Sequence, residues 1–338
     1  MKYVYCILTL LSLQTYSFSQ HIAKYAGEFL SIGVGGRALA VGGAYSALAN
    51  DVSAGYWNPS CLMRINYPEI MIMHDEQFGG IMNYDVVACA LPYKGKETIA
   101  LSIIRLGIDD IPYTVDALDD KNGNGILDSA DYIDPNRVSY FNSADWIFIV
   151  SYAKASSSKF TYGINLKVIH RSILNTTAKG FGFDIGFLYM PKENWSIAAT
   201  ARDITTTLIA WSNGTNELVS PTLKIGTVYC FNLFNGILSP SFDLDMRFED
   251  RKSASIAHFG PISLDPHLGI EFDLKNSIAF RAGYSDIKQV TLGIGLHLRK
   301  IDIDYSFARF NKSNDIGDTH RISLRLILKS ENNYRYAK

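Results

Sequence analysis

Long apolar stretches, paired cysteines and an excess of either charge are all scarce in this chain. Charged residues make up only 19% of the sequence and balance to a formal net charge of -1, so no basic surface for nucleic acid and no acidic tail is predicted. Past Ser19 there is no uninterrupted apolar run near the ~18 residues of a membrane-spanning helix. Helical membrane proteins are thereby excluded, but a β-barrel, whose strands hide their hydrophobicity by alternation, is not. Beyond Cys6, the cysteines Cys61, Cys89 and Cys230 are odd in number and widely spaced, which gives neither a disulfide framework nor a CxxC metal pair. They read as small buried residues. Enzyme motifs are missing too. The histidines (His21, His74, His170, His258, His267, His297, His320) are scattered without HExxH, and no GxSxG is present. Gly33-Val34-Gly35-Gly36 neither follows a strand nor opens a βαβ unit, so it is no phosphate cradle. A non-enzymatic protein is predicted.

Residues 1–19 read as a signal peptide: Lys2 near the start, an apolar core from Val4 to Leu13, and small residues at Ser17 and Ser19. The mature chain is expected to begin at Gln20. Cys6 lies inside the apolar core rather than after it, which argues against a lipid-modified cysteine.

From about Glu69 onward, alternation dominates. Phe160, Tyr162, Ile164, Leu166 and Val168 interleave with Thr161, Gly163, Asn165 and Lys167, a period of two that gives one oily and one polar face. The same pattern returns at Val290 to Leu298, Ile301 to Phe307, Phe242 to Met246 and Leu268 to Leu274. Many such runs reach about nine to eleven residues, the length a tilted strand needs to cross hydrocarbon, where strands of soluble sheets average about five or six. The polar face carries Asp184, Asp243, Asp245, Glu271, Asp273, Asp302 and Asp304 with Lys167, Arg247, Arg281, Arg299, Arg321 and Arg325, charges of both signs that suit a polar lumen. The fold class is therefore all-β, a transmembrane antiparallel barrel of about 14 strands over 67–330. Tight turns near Lys94, Ser156, Lys192, Asn235, Lys275 and Lys300 alternate with longer loops near Phe78, Asp120, Thr176, Asn213, Ser255, Asp286 and Asn314. Short turns then face the periplasm, residues 331–338 form a periplasmic tail, and outer-membrane lipid is the surrounding solvent.

Residues 20–66 alternate poorly. They are predicted to form a plug inside the lumen, helical from about Arg37 to Asn50 and ended by a turn at Asn58-Pro59, with Arg37 and Asp51 available to pair with wall charges. The run Phe29 to Leu62 resembles the N-terminal signature of the PorV/PorQ family within the wider FadL-like barrels. Gly33, Gly35, Arg37, Gly42, Gly43, Tyr45, Asp51, Trp57, Asn58 and Pro59 carry the match, together with Ala38, Leu39, Ala44, Ala47, Leu48, Ala49, Ala54, Tyr56 and Leu62. Val41, Asn50 and Ser60-Cys61 depart from it. The resemblance implies a Gram-negative, Bacteroidetes-like outer membrane and a component of type IX protein secretion or surface attachment with protein partners. The alternative it leaves open is a FadL-like channel for small hydrophobic compounds. The charged inward face, with no continuous apolar track, tips the sequence reading toward secretion.

One ligand motif stands apart. In the long outer loop 107–144, Asp120, Asn122, Asn124, Ile126, Asp128 and Asp131 fall at calcium-loop positions 1, 3, 5, 7, 9 and 12, with Gly125 at the sharp turn. A weak extracellular calcium (Ca2+) site is expected there, against the plainer reading of a loop rich in turn formers.

Overall fold

The computed structural model describes residues 27–93, 95–129, 131–204, 206–249, 255–285, 289–310 and 318–329, together with Arg335. The signal peptide, most of the C-terminal tail and the loop around Asn314 lie outside the described residues.

Fourteen strands close into one antiparallel barrel. In chain order they are β1 (Glu69–Gln77), β2 (Met82–Tyr93), β3 (Glu97–Tyr113), β4 (Ser139–Ala155), β5 (Phe160–Ile173), β6 (Thr176–Lys192), β7 (Trp195–Arg202), β8 (Thr222–Tyr229), β9 (Gly236–Arg247), β10 (Ile262–Leu274), β11 (Ile278–Tyr284), β12 (Gln289–His297), β13 (Ile301–Phe310) and β14 (Thr319–Ile327). Each pairs with the next, and β1 closes the ring against β14, from Glu69 opposite Ile327 to Glu76 opposite His320. Closure leaves none of these strands with an unpaired edge facing hydrocarbon, which offers no hydrogen-bond partner, and this is what allows strands to cross it. A hairpin of Thr207–Trp211 with Asn216–Val219 prolongs the wall at β7 and β8, its first strand pairing with β6.

Alternation places the two faces. Exposed Ile70 and Ile72 on β1, Ile99 and Leu101 on β3, Leu292, Ile294 and Leu296 on β12, and Ile322, Leu324 and Leu326 on β14 form an apolar outer band. The inward set includes buried Lys167, Asp184, Lys224, Asp243, Asp245, Glu271, Arg281, Asp302, Asp304 and Arg321. Arg299 does not join it. That residue is exposed in the turn between β12 and β13, one position beyond the end of the alternation.

Connections differ from the predicted rhythm. Thr176 begins β6 directly after a two-residue turn at Leu174-Asn175, and β3, β4 and β6 run to 17 residues each. Such strands outlast the hydrocarbon layer, and above it the outward face no longer has to be apolar while the ladder continues. The long outer loop accordingly shrinks to the span between Tyr113 and Ser139. Cys89 is exposed on the outer face of β2 rather than buried, while Cys61 is buried.

Inside the barrel the N-terminal segment is less helical than its composition suggests. One helix covers only Gly36–Ala40, a second Ala54–Trp57, and a 3-10 helix Pro59–Arg64. The first stops because Gly42 and Gly43 adopt φ values of 67° and 77°, left-handed backbone that a continuing right-handed helix excludes. Asn58 both closes the helix Ala54–Trp57, donating its N–H to Ala54 O, and opens the next: its side chain accepts from Ser60 N–H, and Pro59 sits at the first helical position, where its missing N–H costs nothing.

Candidate functional site

Trp57 organises the lumenal segment. Its indole N–H donates to Val34 O at 2.7 Å, and its ring meets Tyr56 and Tyr45 edge-on at centroid distances of 5.2 and 6.1 Å. Such edge-to-face pairs suit buried rings with one polar atom to satisfy. Tyr56 donates its hydroxyl to Leu30 O, and Arg202 from β7 lies over both the Tyr56 and Trp57 rings.

Below this aromatic cluster the segment is tied to the wall by charge. Arg37 grips Glu271 of β10 through two bonds of 2.8 and 2.7 Å, and Glu271 in turn accepts from Arg281 Nε at 2.6 Å. Arg281 reaches on to Asp304 of β13 at 2.7 Å. Arg37 also approaches Asp51 at 3.5 Å, and Tyr45 donates its hydroxyl to Asp51 at 2.6 Å. Asp243 of β9 accepts the backbone N–H of Tyr45 and of Ser46 at 3.0 and 2.9 Å. Glu69 of β1 accepts Val52 N–H and pairs with Arg325, which also meets Asp302. These are buried charges, and each is matched because an unpaired one would cost several kcal/mol.

The wall also yields space to the segment. An added Cβ at Gly163 of β5 would sit 2.5 Å from the Pro59 carbonyl carbon, and one at Gly186 of β6 would sit 2.1 Å from Asn58 Oδ1. At Gly283 of β11 it would meet Gly42 N at 2.2 Å, and at Gly293 of β12 Ala40 Cβ at 2.4 Å. Sequence reading did not single out these wall glycines. Their signal was present, since glycine inside a strand marks close approach of another backbone. Asn58 Nδ2 completes the seam by donating to Ser46 O and, across to β6, to Phe187 O.

Of the signature residues, Arg37, Tyr45 and Asp51 thus meet in one cluster, and Asn58 and Pro59 face the glycines of β5 and β6. Gly42, Gly43 and Trp57 instead line a cavity of about 380 Å³ at the end of the barrel that carries the β1–β2 and β11–β12 connections. The lumenal segment lines it with Phe29, Ile32, Leu39 and Trp57, joined by Phe78 from the β1–β2 turn and Met82 and Leu106 from the wall. His267 donates through Nδ1 to Gly42 O at 2.7 Å and faces Asp245 at 3.4 Å. Arg321, also in the lining, pairs with Asp75 at 2.9 Å. The charged inward face is therefore consumed in pairs, and the space that remains is largely apolar. The inward face is charged, as the alternation predicted, yet this end of the lumen keeps a local apolar surface that the sequence reading did not place.

None of the calcium-type residues lines this cavity; they share one exposed loop whose ends are joined where Leu118–Asp119 pairs with Tyr132–Ile133. The Asp120 carboxylate accepts Gly125 and Gly123 N–H at 2.6 Å each, which holds its pKa below the usual carboxylate range. Asp131 accepts from Lys121 N–H, Asn122 donates to Asp128, and Asn124 accepts Ile126 N–H. Among the described residues, no three His, Cys, Asp or Glu side chains gather in the arrangement of a metal cluster.

No protein-family model matches the sequence, and no curated protein matches it. Solved structures do. The Ralstonia pickettii toluene transporter TbuX superposes with a TM-score of 0.58 at 13% identity, covering 88% of this chain and 99% of its own. The Pseudomonas putida toluene transporter TodX gives 0.54 at 12%, covering 87% and 96%, and a Pseudomonas aeruginosa FadL homologue 0.53 at 10%, covering 86% and 98%. At these identities the likeness is one of fold alone: a closed barrel of the kind seen in TbuX, TodX and the FadL homologue.

Proposed function

We propose that this protein is an outer-membrane channel that admits small hydrophobic compounds, with the cavity above the lumenal segment as their first binding place. The observation that carries the reading is the cavity itself. Its ~380 Å³ falls in the range of small-ligand sites, and such sites are mostly apolar with a few placed polar groups, as here. The FadL-type fold and the hydrocarbon transport named for TbuX and TodX support the same reading. The segment beneath acts as a plug: the Arg37–Glu271 ion pair holds it to β10, and its backbone N–H groups donate to Asp243 of β9 and Glu69 of β1, so passage requires it to shift or the compound to leave sideways. Crystals soaked in bromobenzene test the proposal. Anomalous bromine density beside Trp57 and Phe78 is expected, and a lumen without bromine would contradict it.

A second reading rests on the signature from Gly33 to Pro59: membership of the PorV/PorQ group, in a Bacteroidetes-like outer membrane, with a protein partner in type IX secretion or surface attachment. Affinity purification from outer membranes checks it, and recovery of a secretion-machinery subunit is the outcome it requires. We also propose weak calcium uptake by the loop from Asp120 to Asp131. Its paired ends and the turn closed by the Asp120–Gly125 bond favour that reading.

A further inference from the structure

The cavity lining combines two chemistries. Phe29, Leu39 and Trp57 of the lumenal segment and Phe78 of the β1–β2 turn form its apolar side, and Ser285, Gln289, Thr291 and Thr319, from the ends of β11, β12 and β14, contribute the polar groups. Of these, Thr291 is occupied, donating its hydroxyl to Ala40 O at 2.9 Å. Gln289 and Ser285 are not. Gln289 is 3% exposed and Ser285 9%, yet neither Gln289 Nε2 nor Ser285 Oγ has a hydrogen-bond partner among the described residues. Buried polar atoms of this kind are rare in folded proteins, because leaving one unmatched forfeits its hydration with no return. The two residues are neighbours, joined by the Ser285 N–H to Gln289 O bond of 3.0 Å. Both residues also line the cavity, so their unmatched groups border one volume at adjoining strand ends. The cation in the lining offers no free charge, since Arg321 is held by Asp75 at 2.9 Å.

We infer that the cavity selects neutral hydrophobic molecules carrying one hydrogen-bonding oxygen, such as aryl ketones, aldehydes or phenols, over pure hydrocarbons and over carboxylates. The oxygen lies at Gln289 and Ser285, and the apolar body against Trp57 and Phe78. This deepens the channel reading and rests on it. A site with unmatched buried donors discriminates strongly against an analogue that lacks the acceptor, because the donors then stay unmatched in the complex.

Equilibrium dialysis of the detergent-solubilised full-length protein against acetophenone and α-methylstyrene tests it. The two probes share a shape and differ in whether a carbonyl or a methylene group is present. After subtraction of each probe's partition into empty micelles, the wild-type protein is expected to bind acetophenone about tenfold more tightly, the equivalent of ~1.4 kcal/mol. In the double variant Gln289→Met, Ser285→Ala the ratio should fall toward one, with the heat-modifiable gel band reporting that the barrel is folded. The wild-type ratio stands alone if that variant does not fold. Equal binding of the two probes, or tighter binding of α-methylstyrene, overturns the inference while leaving the channel reading intact. Tighter binding of benzoate than of acetophenone overturns the preference for neutral molecules. Binding of none of the three contradicts the channel reading itself.

Discussion

Gly42→Ala separates a lumenal segment packed against the wall from one that merely lies near it. The Cβ it introduces would stand 2.6 Å from Tyr284 N, 2.7 Å from Tyr284 O and 2.8 Å from its carbonyl carbon, all backbone atoms of β11 that cannot rotate away. Ordinary contact begins near 3.4 Å, so segment and wall must part by several tenths of an ångström. Overpacking of this kind costs about 1–3 kcal/mol. The residue also sits at φ +67°, where a side chain adds about 1 kcal/mol of left-handed strain. The sum is about 2–4 kcal/mol against docking, roughly a thirtyfold to several-hundredfold loss of the docked population. Gly80→Ala supplies the control: φ is +86° but nothing lies within 4 Å, so strain acts there without overlap. Limited proteolysis of the folded barrel reads the difference. Gly42→Ala should expose the segment to cleavage far faster than Gly80→Ala while both keep the heat-modifiable band. Equal cleavage of the two variants would refute the packing argument, and loss of the band in Gly42→Ala alone would make the segment part of the wall.

Arg37→Met leaves Asp51 and Glu271 short of a buried partner and should destabilise the fold by about 3 kcal/mol, seen as a lower temperature for loss of the heat-modifiable band. Adding Glu271→Gln should recover part of that loss, and a single variant as stable as wild type would speak against the charge network. Surface labelling of intact cells should reach a tag at Asn213 and not one at Lys192, and the reverse would invert the barrel in the membrane. Asp120→Asn or Asp131→Asn should abolish protection of the 114–138 loop from protease by millimolar calcium, and a wild-type loop that gains no protection would leave it a plain surface turn.

What the sequence disclosed depended on whether a pattern was local. Strand number and face followed from period two, because in a barrel every residue of a crossing strand is assigned inside or outside by parity alone. Lys167, Glu271 and Asp304 could be placed inward for that reason. Loop lengths were legible only where the outward face stayed apolar: Thr176 and Thr177 belong to a strand that has risen above hydrocarbon, so their polarity read as loop. The helix assigned from Arg37 to Asn50 failed on Gly42 and Gly43, whose left-handed backbone is set by contact with β11 and not by the surrounding alanines. The cavity was hidden altogether. Phe29, Leu106, His267 and Gln289 lie far apart in the chain and share no motif, and only closure of the ring brings them together.

Uptake bears most directly on the central claim that this barrel passes small hydrophobic compounds. Cells of a strain whose outer membrane resists such compounds would be compared with and without the protein, and with Leu106→Trp, which fills the cavity from β3 while the strand ladder is kept. Entry of radiolabelled acetophenone should rise on expression of the wild-type protein and fall back toward the empty strain with Leu106→Trp. Uptake unchanged by expression of a folded, surface-located barrel would contradict the account.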